Sequence, residues 1–289
     1  MMRTKLAALL GAVACAACTS TGMPITNLRD LQSIDLGSTA KQFSKVNEAT
    51  RDFTQPEEIA LGQGIASNVL GTAPLLQDRK AQRYVGSVGR WLAMQTERQD
   101  LPWHFAVLDD KGLNAFAAPG GYIFITKGLL LSLKNEAELA GILAHEIAHV
   151  VRKHQLNAIR KAASQSHATE FAGMMLTAKS QNGALLSKVV AGGIDIFAKG
   201  LDKEEEYEAD RMGVVIAARA GYDVYGLPAA LQTLQAVNPD SDAIALMFKT
   251  HPSFTSRLER LDRVLTRSFD RFDQQPTLAA RYKASVPGR

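Results

Sequence analysis

Between Glu138 and Gln155 the chain reads ELAGILAHEIAHVVRKHQ, with three of its six histidines set in an apolar, helix-favouring run. His145 and His149 are four residues apart, which on an α-helix places both imidazoles on one face, about a turn from each other. Two neutral imidazoles so placed can point at a single metal ion. Glu146 stands beside the first of them, where its carboxylate can reach a water on that ion. Ile142, Leu143, Ile147 and Val150 supply the apolar faces of the same helix. The segment is read as a core helix that also carries half of a metal cradle.

The other half must come from elsewhere. His154 lies nine residues past His145, half-way round an uninterrupted helix, and is set aside as facing away. An extended form of the motif needs a glycine seven residues and a histidine ten residues after the first histidine, and those positions hold Arg152 and Gln155. A catalytic zinc takes three protein ligands and keeps one position for water. Both cysteines, Cys15 and Cys18, fall in the first eighteen residues, so the third ligand should be a carboxylate or a distant histidine. The run EEEYEAD offers it. Glu206 and Asp210 are four apart on one helix face, so Glu206 can bind the ion while Asp210 accepts a hydrogen bond from the far nitrogen of a ligand histidine. Glu205 and Glu208 are alternatives to Glu206, but neither has an acid four residues later. His104, beside Trp103, and His167, in a polar stretch, show no metal-like spacing.

These side chains need a scaffold, and the hydropathy pattern supplies one that is α+β and mainly helical. TQPEEIALGQGIA opens a helix with Thr54 as N-cap and Glu57 three residues on. A second helical pattern covers roughly Asp78 to Thr96. WHFAVLDD alternates as a strand, and LNAFAAPGGYIFIT reads as a hairpin around Pro119 to Gly121. The metal helix follows, then a Ser-, Thr- and Ala-rich helical stretch from Ala162 to Gly200. After it come the acidic helix, stopped by Gly221, a helix from Leu227 to Val237, and a last one in HPSFTSRLERLDRVL. Residues 53–270 are expected to form the domain and 271–289 a polar tail.

The opening MMRTKLAALLGAVACAAC has a cationic start, an apolar run and a small-residue end, the layout of a secretory signal over residues 1–18. Cys18 is the candidate for lipidation, with Cys15 the alternative, and residues 19–52 read as a tether. The anchor would hold the chain to the inner leaflet of an outer membrane. A net charge of +4 with 21% charged residues, and no basic stripe interleaved with aromatics, points away from nucleic acid.

Four blocks, NAFAAPGGYIFITKGLL, ELAGILAHEIAHV, EYEADRMG and THPSFTSRLERL, together resemble the HtpX and CAAX-prenyl-protease family of zinc metallopeptidases (gluzincins), in its periplasmic lipoprotein branch. The likeness runs from about Phe53 to Leu265. It implies a zincin-like domain with one Zn2+ per chain, whose small sheet has an edge strand flanking the metal helix. Glu206 is the ligand and Asp210 its downstream partner in the family's E-x-x-A-D pattern. His251 is implied near the metal, as a resting-state fourth ligand or a stabiliser of the tetrahedral intermediate, and Arg257 matches an arginine facing the site. Asn114, Ala115, Phe116, Ala117 and Ala118 would be the edge that pairs with an extended substrate. The implied activity is endopeptidase cleavage of unfolded or misassembled envelope proteins in the periplasm, with Glu146 as general base. The rival expectation is a chaperone-like or binding lipoprotein with latent or minor protease activity.

Overall fold

Thr54 opens the first helix with the expected cap, its backbone N–H donating to Glu57 Oε2 at 2.9 Å. The structure, a computed structural model, describes residues 52–165, 201–237, 251–265, 267–272 and 274–286. The leader with Cys15 and Cys18, the tether up to residue 51, His167 and the stretch 166–200 lie outside the described residues. Helix α1 spans Gln55–Thr72 and α2 spans Arg79–Ala93. The sheet follows as β1 (His104–Leu108), β2 (Ala115–Ala118) and β3 (Tyr122–Thr126), in the order β1-β3-β2. The expected hairpin is there: β2 runs antiparallel to β3, with Phe116 opposite Phe124 and the two rings stacked at 5.0 Å. Its turn, Pro119–Gly121, places Gly120 at φ 75, a left-handed conformation that glycine reaches without steric cost. The strand in WHFAVLDD pairs with β3 in parallel, which leaves β2 as an edge. His104 is exposed and stacks on Tyr122.

Helix α3 (Lys127–Ser132) leads into α4 (Glu136–Val151), whose residues are all buried. Asn135 caps α4 by accepting from the Glu138 N–H at 2.9 Å. The helix packs against α2, β2 and two later helices, α6 (Lys203–Arg219) and α7 (Gly226–Gln235), and so forms the axis of the core. It ends sooner than its composition implies. Val151 is its last residue, Lys153 takes φ 58, and a new helix α5 (His154–Gln165) begins at once. The picture of one uninterrupted helix through His154 is therefore corrected, and with it the direction in which His154 points. Helix α8 (Phe254–Val264) is capped by Ser253 and lies on α6 and α7.

The expected polar tail is corrected too. The last helix, α9 (Ala279–Ser285), sits against α4 and α2. Tyr282 is fully buried with its hydroxyl donating to the Leu130 carbonyl, and Arg281 binds the buried Glu136 carboxylate, which Tyr84 and Tyr222 also hold at 2.8 Å. A few scattered apolar side chains, Tyr282 and Val286 in the core with Phe272 and Leu278 packed against it, dock a segment whose average hydropathy carries little signal. No helix among the described residues is long and apolar enough to cross a membrane.

Candidate metal centre

Three separate elements bring their donors to one place. Helix α4 contributes His145 and His149, α6 contributes Glu206, and the turn before α8 contributes His251. One ligand atom from each lies within 4.8 Å of all the others. The Nε2 atoms of His145 and His149 face each other at 3.0 Å. Glu206 Oε2 stands 3.6 Å from His145 Nε2, and Oε1 stands 3.4 Å from His149 Nε2. His251 Nδ1 approaches Glu206 Oε2 at 2.6 Å. Donors sharing one tetrahedral ion at about 2.0–2.1 Å stand about 3.3 Å apart, the middle of these separations.

A second observation supports an ion here. Glu206 is fully buried, yet its Oε1 has no hydrogen-bond partner. An unpartnered carboxylate oxygen is costly to bury, and a cation among these donors would satisfy it. The donor set, three imidazoles and a carboxylate without sulfur, is one that zinc accepts.

The electrostatics are ordered by the same contacts. Burial alone would raise the Glu206 carboxyl, but the histidines around it, His251 foremost, outweigh it and hold the group well below the usual carboxylate range. Burial drives His149 far below the ordinary imidazole value, so its ring is neutral. For His145, burial and the Arg257 charge act to lower the pKa, while the bonds to Asp210 and Glu206 prevail and push it up to about 9. A histidine that ligates a metal must be neutral, so an ion bound here would displace that proton. Glu146 is 3% exposed beside His145, and burial raises its carboxyl above the ordinary value.

Asp210 and Arg257 lie on the other side of the His145 ring. Asp210 Oδ1 is 3.0 Å from His145 Nδ1, and the carboxylate, which can only accept, takes the Nδ1 proton. Arg257 grips that same carboxylate through Nε at 2.9 Å and Nη2 at 2.6 Å, and is 3% exposed. A cation in the first turns of α8 opposes the helix dipole, and the carboxylate of Asp210 compensates it. Arg257, expected by resemblance to face the site, has its guanidinium bonded to Asp210 behind His145, on the Nδ1 side. Glu205 instead caps α6, accepting from the Asp202 N–H at 3.2 Å, and Glu208 pairs with Arg152 and His154 outside the cluster. His154, expected to face away, is buried against His149, with the two Nδ1 atoms 2.9 Å apart. No signal in the sequence would have placed it there, since Arg152 and Lys153 are ordinary helix formers.

Close packing of α6 on α4 sets these distances. A Cβ at Gly213 would stand 3.0 Å from the His145 nitrogen and 3.1 Å from its Cα. For Gly213→Ala, overpacking costs about 1–3 kcal/mol, and the better helix propensity returns about 1 kcal/mol. The variant is expected to melt a few degrees lower in a thermal scan and to bind metal more loosely, because Glu206 recedes from both histidines.

Of the expected substrate edge, Ala115 and Ala117 are buried and Phe116 is half-buried. Asn114 is buried just before β2, its backbone paired with Thr126 at 2.9 Å, while its side-chain Oδ1 has no partner.

The family model of peptidase family M48 matches residues 79–265, a span that takes in every donor of the cluster. The chain is 30% identical over 268 residues to the beta-barrel assembly-enhancing protease of Yersinia pestis, covering 89% of this chain and 52% of that protein. With the protein of the same name from Escherichia coli K12 it shares 30% over 210 residues, 70% of this chain and 42% of that one. With the mitochondrial metalloendopeptidase OMA1 of Bos taurus it shares 30% over 183 residues, 58% of this chain and 34% of that one. The chain spans about half the length, or less, of these relatives.

Proposed function

The chain belongs to peptidase family M48, and we propose that it is a metalloendopeptidase, that its ion is zinc and that it cleaves extended or misfolded proteins of the bacterial cell envelope. The observation that carries this reading is the buried convergence of His145, His149, Glu206 and His251 with Glu146 beside them. When bound, zinc supplies a Lewis acid for the peptide carbonyl and lowers the pKa of water at the site to about 7. Glu146 takes the proton of the attacking water and delivers it to the leaving amine. Asp210 and Arg257 keep His145 oriented. His251, on a turn and 10% exposed, is the donor best able to swing between the cluster and the carbonyl oxygen of a bound peptide. Backbone groups from Ala115 to Ala117 on the outer edge of β2, unpaired among the described residues, would pair with the peptide whatever its side chains, and Asn114, whose backbone is bonded to Thr126, would bound that edge. A signal at 1–18 with lipid on Cys18 would hold the enzyme at the periplasmic face of the outer membrane. The relatives named for enhancing β-barrel assembly support envelope proteins as the substrate class.

The close His251–Glu206 contact favours one rival, a latent protease acting mainly as a chaperone-like binder, with His251 as a fourth ligand. Both are tested by metal analysis and cleavage of an unfolded protein such as reduced casein. One zinc per chain is expected, with cleavage lost on chelation and restored by zinc. Folded, zinc-loaded protein that cleaves nothing would favour the rival, and absence of zinc uptake would sink both.

A further inference from the structure

The Nδ1 nitrogen of His149, turned away from the donor cluster, lies 2.9 Å from Nδ1 of His154. The two buried rings meet at 73°, with centroids 5.1 Å apart. On its other side His154 presents Nε2 to Glu208 Oε2 at 3.2 Å, and the second oxygen of that carboxylate takes the Arg152 Nε–H at 2.7 Å. Four side chains therefore connect the surface, where those of Arg152 and Glu208 are 48% and 36% exposed, to a histidine of the cluster.

The sense of each bond follows from what the groups can donate. An ionised carboxylate only accepts, so His154 gives Glu208 its Nε2–H. A neutral imidazole has a single N–H, which leaves Nδ1 of His154 as a lone pair. His149 must then donate from Nδ1, and its Nε2 is left as the lone pair that faces His145 and Glu206. Reversing the relay would put a proton on Nε2, where a metal ligand cannot carry one.

We infer that Glu208 and His154 form a relay that holds His149 in its metal-binding tautomer, doing for His149 what Asp210 does for His145. This assignment rests on the zinc-peptidase reading above. His154 touches neither ion nor substrate and is a positioning residue. Removing such a partner weakens metal binding by about 10–100-fold.

The test is zinc affinity of the whole purified protein, by competition with a chromophoric chelator, read beside the thermal midpoint of the metal-free form. Glu208→Ala, at a part-exposed site, should fold as the wild type does and bind zinc about tenfold more weakly. His154→Leu should lose about 10–100-fold. His154→Asn, whose Oδ1 can take the place of Nδ1 as acceptor, should recover most of that loss, which repacking alone would not do. If His154→Leu does not fold, Glu208→Ala still decides: a loss of about tenfold supports the relay and an affinity within twofold of wild type overturns it. Wild type that binds zinc tightly, with Glu208→Ala and the folded His154 variants within twofold of it, overturns the relay alone. Wild type that takes up no zinc overturns the proposed function and the relay with it.

Discussion

Glu146→Gln should retain one zinc per chain and its fold, yet lose about 10²–10⁴-fold in kcat/KM against an unfolded substrate, the usual range for removing a general acid–base group. Glutamine keeps the volume of a side chain only 3% exposed, so the core around α4 has no reason to repack. The four converging donors are untouched. What is lost is the ability to accept a proton, since an amide cannot take one near neutral pH. The pH profile gives a second readout. Only the ionised carboxylate can act as base, and burial raises its pKa. Wild-type kcat/KM is therefore expected to climb with pH through a value above the ordinary glutamate figure of about 4.3, and the variant's residual rate should lack that limb. Glu146→Asp separates charge from position: it keeps a carboxylate but withdraws it by one methylene, and displacements of about 1 Å can cost about 10²-fold. Equal cleavage by wild type and Glu146→Gln would remove Glu146 from the mechanism.

What could be read in advance followed the reach of each signal. The pairing of His145 with His149, and of Glu206 with Asp210, rests on the four-residue period of a helix, so the sequence pattern fixed which side chains share a face. The hairpin was legible because the Pro119–Gly121 turn separates two β-prone runs. The meeting of α4 with α6 was not, because it depends on Gly213 lying against the His145 backbone, and one glycine in a helical pattern has many readings. The direction of His154 escapes the sequence pattern for a different reason. Its direction depends on the break at Lys153, which adopts φ 58 although lysine has no preference for it, so tertiary packing overrode local propensity there. Tyr282 was hidden by averaging, its burial being a property of one side chain in a segment polar overall. The role of Arg257 was legible only as a conflict: a cation in the wrong end of a helix needs a compensating partner, but the pattern could not say that the partner is Asp210.

Arg257→Ala is the sharper test of that partnership. The Arg257–Asp210 pair is bidentate and both side chains are nearly inaccessible, at 3% and 1%. Breaking a buried pair by removing one partner costs about 3–5 kcal/mol, because the remaining charge stays buried and uncompensated. For a domain of this size about 1 kcal/mol moves the thermal midpoint by about 2–4 °C, so a fall of about 6–20 °C is expected. Zinc binding should weaken along with it. Of the groups holding Asp210 below the usual carboxylate range against the effect of burial, Arg257 is the strongest; without its two contacts the carboxylate is held only by His145 and fixes the Nδ1–H of that ring less firmly. Lysine should not rescue, since one ammonium cannot reproduce two parallel contacts from a planar fork. The double variant Arg257→Ala, Asp210→Ala should be less destabilised than the sum of its parts, because each single change strands a charge that the double change removes. If Arg257 instead served the carbonyl oxygen of the substrate, Arg257→Ala would keep the wild-type midpoint and zinc affinity and lose only kcat. That pattern would contradict the bonds the guanidinium makes behind His145 and return it to the reacting centre.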